Sequence, residues 1–110
     1  MDGVSIDLGG RDRSLSPTLG AAMELNKRYG GLMNLLAALE RYDLAAAIDV
    51  VLCGLNLPEA QRQRATEDVY QTGLVSLTPA LIRYVIVLAN GGRAPKAAEE
   101  EAKPEMRPFG

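Results

Sequence analysis

The chain has no histidine, no tryptophan and a single cysteine, Cys53. These absences exclude a disulfide framework, a zinc site built from Cys and His, and any triad or acid–base pair that depends on imidazole. A charge excess is missing as well: twelve Lys and Arg stand against fourteen Asp and Glu, a net charge of −2. Without a basic surplus the electrostatic footprint of a nucleic-acid binder is absent. The N-terminal residues are acidic and are not followed by an apolar stretch, unlike a secretory signal. The most apolar run, Leu74 to Ala89, is broken by Thr78, Pro79 and Arg83 and falls short of the roughly 20 apolar residues of a membrane span. A lone cysteine fits a reducing compartment, so a cytoplasmic location is expected.

The 110 residues, 47% of them apolar, suit one domain with one core. Val4, Ile6 and Leu8 alternate with Ser5 and Asp7, as in a half-buried strand, and Gly9-Gly10 offers a tight turn into a returning strand ending at Leu15. Two registers are open. A two-residue turn sets Asp7 opposite Asp12, whereas a three-residue loop pairs Asp7 with Arg13. This hairpin, about residues 3–15, precedes five short helices.

Ser16-Pro17 reads as a cap and first helical position, with Ala22, Leu25 and Tyr29 on the buried face and Gly30-Gly31 as the stop. Leu32, Leu35, Leu36 and Leu39 mark a second helix ending near Tyr42. Asp43 caps a third, with the stripe Leu44, Ile48, Val51, Leu52 and Leu55. Pro58 opens a fourth, polar helix that packs through Ala65, Val69 and Tyr70 and stops at Gly73. Thr78-Pro79 opens a fifth that runs to about Ala89. The expected architecture is mainly α: a compact five-helix bundle with an N-terminal β-hairpin over residues 1–91. Residues 92–110, rich in Pro, Ala and Glu, read as a disordered tail.

Chemistry-bearing constellations are scarce. Asp43 reads as a cap, Asp49 as a solvated position, and Cys53 as a buried, inert thiol. Gly9-Gly10-Arg11 and Gly91-Gly92-Arg93 lack the strand-to-helix context of a phosphate loop. Arg11, Arg13, Lys27, Arg28, Arg62 and Arg64 are interleaved with Asp and Glu, as on a solvated face, so a helix-turn-helix reading lacks its basic recognition helix. No catalytic residue, metal ligand or cofactor site is called for, and an enzyme is not expected.

The fifth helix carries more apolar surface than one docking face requires. Leu77, Leu81, Tyr84, Val85 and Leu88 form one stripe, while Ile82, Ile86 and Ala89, joined by Val87, point elsewhere. Each such side chain left exposed forgoes roughly 1.5–3 kcal/mol of burial, which favours association. Either the helix is central and enclosed by its own core, or the surplus faces a partner, in which case Ile82, Ile86, Val87 and Tyr84 are the candidate partner-binding residues.

The order of pieces carries a resemblance. Asp7-Leu8-Gly9-Gly10-Arg11 is followed by Pro17-Thr18-Leu19-Gly20-Ala21-Ala22-Met23-Glu24-Leu25 and Tyr29-Gly30-Gly31-Leu32. A leucine stripe, Val50-Val51-Leu52-Cys53-Gly54-Leu55 and then Gly73 before a closing apolar helix complete it. Over about residues 3–90 this order resembles the gene-transfer-agent family of small phage-tail proteins, classed with the tail assembly chaperones of long non-contractile tails. Asn26 departs from it, standing where members often carry a second acidic residue. The resemblance implies an assembly factor that coats the long, helical tape-measure protein before the tail tube polymerises, then leaves. The partners it implies are phage-tail proteins, with self-association open and neither membrane nor nucleic acid involved. A structural tail component retained in the particle, or a small helical DNA-binding regulator, are the alternatives.

Overall fold

The computed structural model describes residues 2–95. A two-stranded antiparallel hairpin, β1 (Val4–Leu8) and β2 (Arg11–Leu15), leads into five helices: α1 (Leu19–Tyr29), α2 (Leu32–Glu40), α3 (Leu44–Gly54), α4 (Arg62–Thr72) and α5 (Leu74–Ala89). A single 3-10 turn, Glu59–Gln61, precedes α4. The expected mainly α architecture with its hairpin is observed.

The register of the hairpin shows which energy decides. Gly9 and Gly10 both take positive φ, +61° and +80°, and form the two-residue turn that places Asp7 opposite Asp12 and Val4 opposite Leu15. Like charges across a strand pair disfavour this arrangement by a fraction of a kcal/mol, about 0.2–1. In the alternative register Leu15 would stand opposite Ser5 and leave the inner face. Its observed burial is complete, an effect of roughly 1.5–3 kcal/mol that exceeds the repulsion. The Gly9 N–H also donates to Thr72 Oγ1 at 2.9 Å, tying the turn to the end of α4.

Three helix starts differ from the sequence pattern: α4 begins at Arg62, not Pro58, with the 3-10 turn between them, and α1 and α5 shift as well. Helix α1 starts at Leu19, with Thr18 Oγ1 accepting from the Ala21 N–H at 3.1 Å. Ser16 instead stitches hairpin to core: its N–H donates to the Gly54 carbonyl at 2.8 Å, and its own carbonyl accepts from Tyr84 Oη at 2.7 Å. Helix α5 begins four residues before Thr78, so that Pro79 lies inside it. The hydrogen bond that Pro79 cannot make would have gone to Val75, which lies on the solvent side, where water can serve its carbonyl. Gly73, at φ +100°, joins α4 to α5 at a bend of 115°. Residues 92–95 are not a loose tail: the Asp2 N–H donates to the Gly92 carbonyl at 2.8 Å, and the Ala94 N–H to Asp2 Oδ2 at 2.7 Å. The remainder of the expected tail, 96–110, lies outside the described residues.

The core is one cluster centred on α3 and α5. Eight of the eleven residues of α3 are buried, capped by Asp43 Oδ1 on the Ala46 N–H at 3.2 Å. In α5 the first apolar stripe is buried as the spacing predicts. Helix α4 packs through Ala65 and Val69, but Tyr70 is 73% exposed, because it follows Val69 by about 100° and turns away from the interior. Among the described residues no single helix is long and apolar enough to cross a membrane.

Hairpin and α3 meet closely at Gly54, where an added Cβ would lie 2.8 Å from Leu15 Cδ2 and 3.0 Å from Leu15 Cβ. Neither the strand nor the buried helix can retreat without opening the core. Gly54→Ala is expected to lower stability by about 1–3 kcal/mol, read as a shift of the urea midpoint with an unchanged m-value.

Candidate functional site

The polar centre of the molecule is Asp49, which the sequence pattern placed in solvent and the fold buries. Its helix is enclosed nearly all round, so a carboxylate on it must find donors inside the protein. Three arrive from two other elements. Arg28, in the last turn of α1, donates from Nη1 to Asp49 Oδ1 at 2.9 Å, and Arg62, at the start of α4, donates from Nη2 to the same oxygen at 2.8 Å. Tyr29 Oη donates to Asp49 Oδ2 at 2.6 Å. Each guanidinium has a second, outer carboxylate: Glu24 accepts from Arg28 at 2.8 Å, and Glu59 from Arg62. The chain of groups Glu24–Arg28–Asp49–Arg62–Glu59 thus clamps α1, α3 and α4 together. All buried side-chain polar atoms among the described residues are satisfied.

The same residues line a cavity of about 300 Å³, together with Thr18, Cys53, Asn56 and Leu57. Burial, and then the bond to Asp49, push the Tyr29 hydroxyl well above its ordinary range. The bond to Glu59, then that to Asp49, hold Arg62 more firmly protonated, while Arg62 holds Glu59 below the usual carboxylate range. Burial pushes the half-buried Cys53 thiol up, away from the thiolate that a nucleophile requires. Tyr29, Arg62 and Glu59 are thus each held in their ordinary charge state by a bonded neighbour. Among the described residues no group of three or more Cys, Asp or Glu is placed to hold a metal ion.

The candidate partner-binding residues divide. Measured around α5 from Ile82, Ile86 lies at about 40°, Val87 at about 140° and Tyr84 at about 200°. Ile82 and Ile86 accordingly lie on the outer side, half-buried and 39% exposed, whereas Val87 and Tyr84 face inward and are buried. Tyr84 and Val87 are core residues and offer nothing to a partner. The outer arc of α5 is completed by Val75 and Pro79, at spacings of seven and three residues before Ile82.

Large apolar side chains are exposed on α1 and α2 as well, Leu19 at 75%, Met23 at 63% and Met33 at 75%, beside Tyr70 on α4 and Val75 on α5, both at 73%. Met23 joins Ala22, Leu32, Asn26 and Lys27 in walling a groove of about 530 Å³ where α1 meets α2. Leu19 and Met23, four residues apart, share one side of α1, a spacing readable in the sequence but overshadowed by the apolar fifth helix. Of the arginines considered for nucleic acid, Arg28 and Arg62 are committed to the Asp49 clamp.

Asp49→Asn is expected to destabilise the protein by about 2–3 kcal/mol in urea unfolding, since both guanidiniums lose their shared counter-charge yet keep about a third of their surface in water. The raised Tyr29 hydroxyl has a definite sign. A folded-state value above the unfolded one, about 10, gives stability that is full below pH 10 and is lost as pH rises through the folded value. Stability should therefore decline as pH rises above about 10, and Tyr29→Phe should make that decline shallower, the rest coming from Tyr84, also raised by burial. Compared with known proteins, the chain matches no protein-family model, no curated protein and no solved structure.

Proposed function

We propose that this protein is a tail-assembly chaperone of the phage or gene-transfer-agent type, which binds and shields the helical tape-measure protein before the tail tube polymerises. It does so in the cytoplasm of the bacterial cell. The observation that carries the reading is the exposure of Leu19 and Met23 on α1 and of Met33 on α2, three large apolar side chains each more than 60% exposed, with Met23 in the wall of the α1–α2 groove. Each forgoes roughly 1.5–3 kcal/mol of burial in the monomer, and a partner that covers them recovers it.

The chemistry of the groove suits an amphipathic helix. Methionine side chains are flexible and polarisable and adapt to varied apolar surfaces, as binding along a long repetitive partner requires. Anchors at i, i+4 spacing, such as Leu19 and Met23, meet the apolar face of such a helix. The resemblance to gene-transfer-agent tail proteins supplies the identity of that helix. The outer arc of α5, with Val75 73% and Ile86 39% exposed, is a second contact area, broken by Arg83.

Co-expression with the tape-measure protein tests this reading. The wild-type chain is expected to co-purify with it and to be absent from finished particles. Leu19→Ser/Met23→Ser/Met33→Ser should fold with an unchanged thermal midpoint and lose at least tenfold in capture, while Val75→Ser/Ile86→Ser retains most of it. A wild-type chain that fails to co-purify, or that is found in purified particles, overturns the chaperone reading.

A further inference from the structure

Strand β2 has a free edge. The hairpin has only two strands, and its two-residue turn makes Leu8 and Arg11 a hydrogen-bonded pair, so bonded pairs recur at Ile6–Arg13 and Val4–Leu15. Asp12 and Ser14, the exposed residues between them, turn their backbone N–H and C=O groups away from β1, and no other described residue bonds those groups. An unpaired edge of this kind accepts a further strand. The side chains beside it are cationic on one face. Arg11 and Arg13 line a cleft of about 340 Å³ against α4, with Arg64 and Asp68 in its walls and Leu57 and Ala65 lining it too. Among the described residues Arg11 and Arg13 make no ion pair, and Arg64 has only a 3.9 Å contact with Asp68. Three guanidiniums thus share the cleft with one carboxylate, in a protein of net charge −2.

We propose that the edge of β2 takes up an extended acidic segment of a partner protein, which adds a third strand and sets carboxylates at alternate positions against Arg11 and Arg13. The periods agree. Arg11 and Arg13 are two residues apart on one face, about 6.6 Å at ~3.3 Å per residue, and a Glu-x-Glu segment repeats its carboxylates at the same interval. Cross-strand partners share a face, so acids on the added strand meet these cations directly, and guanidinium forks bind carboxylates in paired hydrogen bonds. Backbone bonds to Asp12 and Ser14 supply affinity independent of sequence, while the charges select the segment. A second copy of this chain fits poorly, because antiparallel pairing of two β2 edges in full overlap sets Arg13 opposite Arg13. A polyphosphate, in turn, offers no N–H and C=O ladder to Asp12 and Ser14. The edge shares no residue with the α1–α2 groove and can be occupied whatever that groove binds.

Titration of the full chain with an acetylated, amidated peptide of alternating Glu and Thr, followed by amide NMR, tests the proposal. At low salt the Asp12 and Ser14 amides are expected to shift and to half-saturate at roughly 1 mM peptide or below. Arg11→Glu/Arg13→Glu should weaken this peptide at least ~tenfold and create binding to an alternating Lys and Thr peptide. Ser14→Pro removes an outward N–H without taking a bond from β1, and should weaken the Glu peptide roughly fivefold or more with all three arginines in place. Unchanged amide spectra away from β2 show that each variant is folded. No shift at about ten times the expected midpoint, or equal binding of the Lys peptide by the wild-type chain, would overturn the assignment. Undiminished affinity in Ser14→Pro would reduce it to charge without strand addition and so overturn it. Equal shifts with a short DNA duplex, or concentration-dependent shifts of Asp12 and Ser14 without any peptide, would overturn it in favour of nucleic acid or of a second copy.

Discussion

A carboxylate inside an apolar helix organises this molecule. Helix α3 is surrounded by its neighbours, and Asp49 on it has no route to water comparable to that of a surface acid. Its two oxygens must be met by donors, which dictates what the ends of two other helices carry. Arg28 and Tyr29 close α1, and Arg62 opens α4, each directed at the same group. Removing the carboxylate would leave two inward-reaching guanidiniums without their shared partner. The requirement is mutual, and it fixes the relative placement of three helices more narrowly than apolar packing alone, which tolerates sliding.

Much of the scaffold was legible because it depends on local rules. Leu32, Leu35 and Leu39, or Leu44 through Leu52, repeat at the helical period, and Asp43, Gly30 and Gly73 punctuate them in ways that backbone chemistry requires. What escaped reading depends on contacts between distant residues. The choice between two hairpin registers turned on whether Leu15 meets Gly54, thirty-nine positions away. Thr18 caps α1, while the Ser16 backbone is tied to Gly54 and Tyr84, far along the chain. Asp49 looked solvated because Ala45, Ala46 and Ala47 beside it say nothing about which neighbours will cover it. Val87 reads with Ile82 and Ile86 in the linear sequence although it lies about 140° from Ile82 around the helix, and Tyr84, already in the docking stripe, is covered by the core.

The surface that supports a partner-binding role was only half visible in advance. Apolar excess on α5 is evident in composition, and Ile82 and Ile86 do lie outward, yet the fold absorbs most of that helix. The larger unburied apolar area belongs to α1, a helix of low mean hydropathy on which Leu19 and Met23 stand among polar residues. A small domain can close its core with few side chains, so what remains outside is informative when it is large and flexible and, as with Met23, borders a groove. The clamp at Asp49 lies behind that same helix, holding from within the element that carries Leu19 and Met23.

The bonds joining Asp2 to Gly92 and Ala94 bring the two ends of the described fold together at one pole. Any polypeptide joined there, before the first strand or after the last helix, emerges beside the other, and the α1–α2 groove is not part of that junction. Copies could therefore be strung in tandem, or the natural ends linked and new ones opened in a surface turn, without disturbing the packing inside.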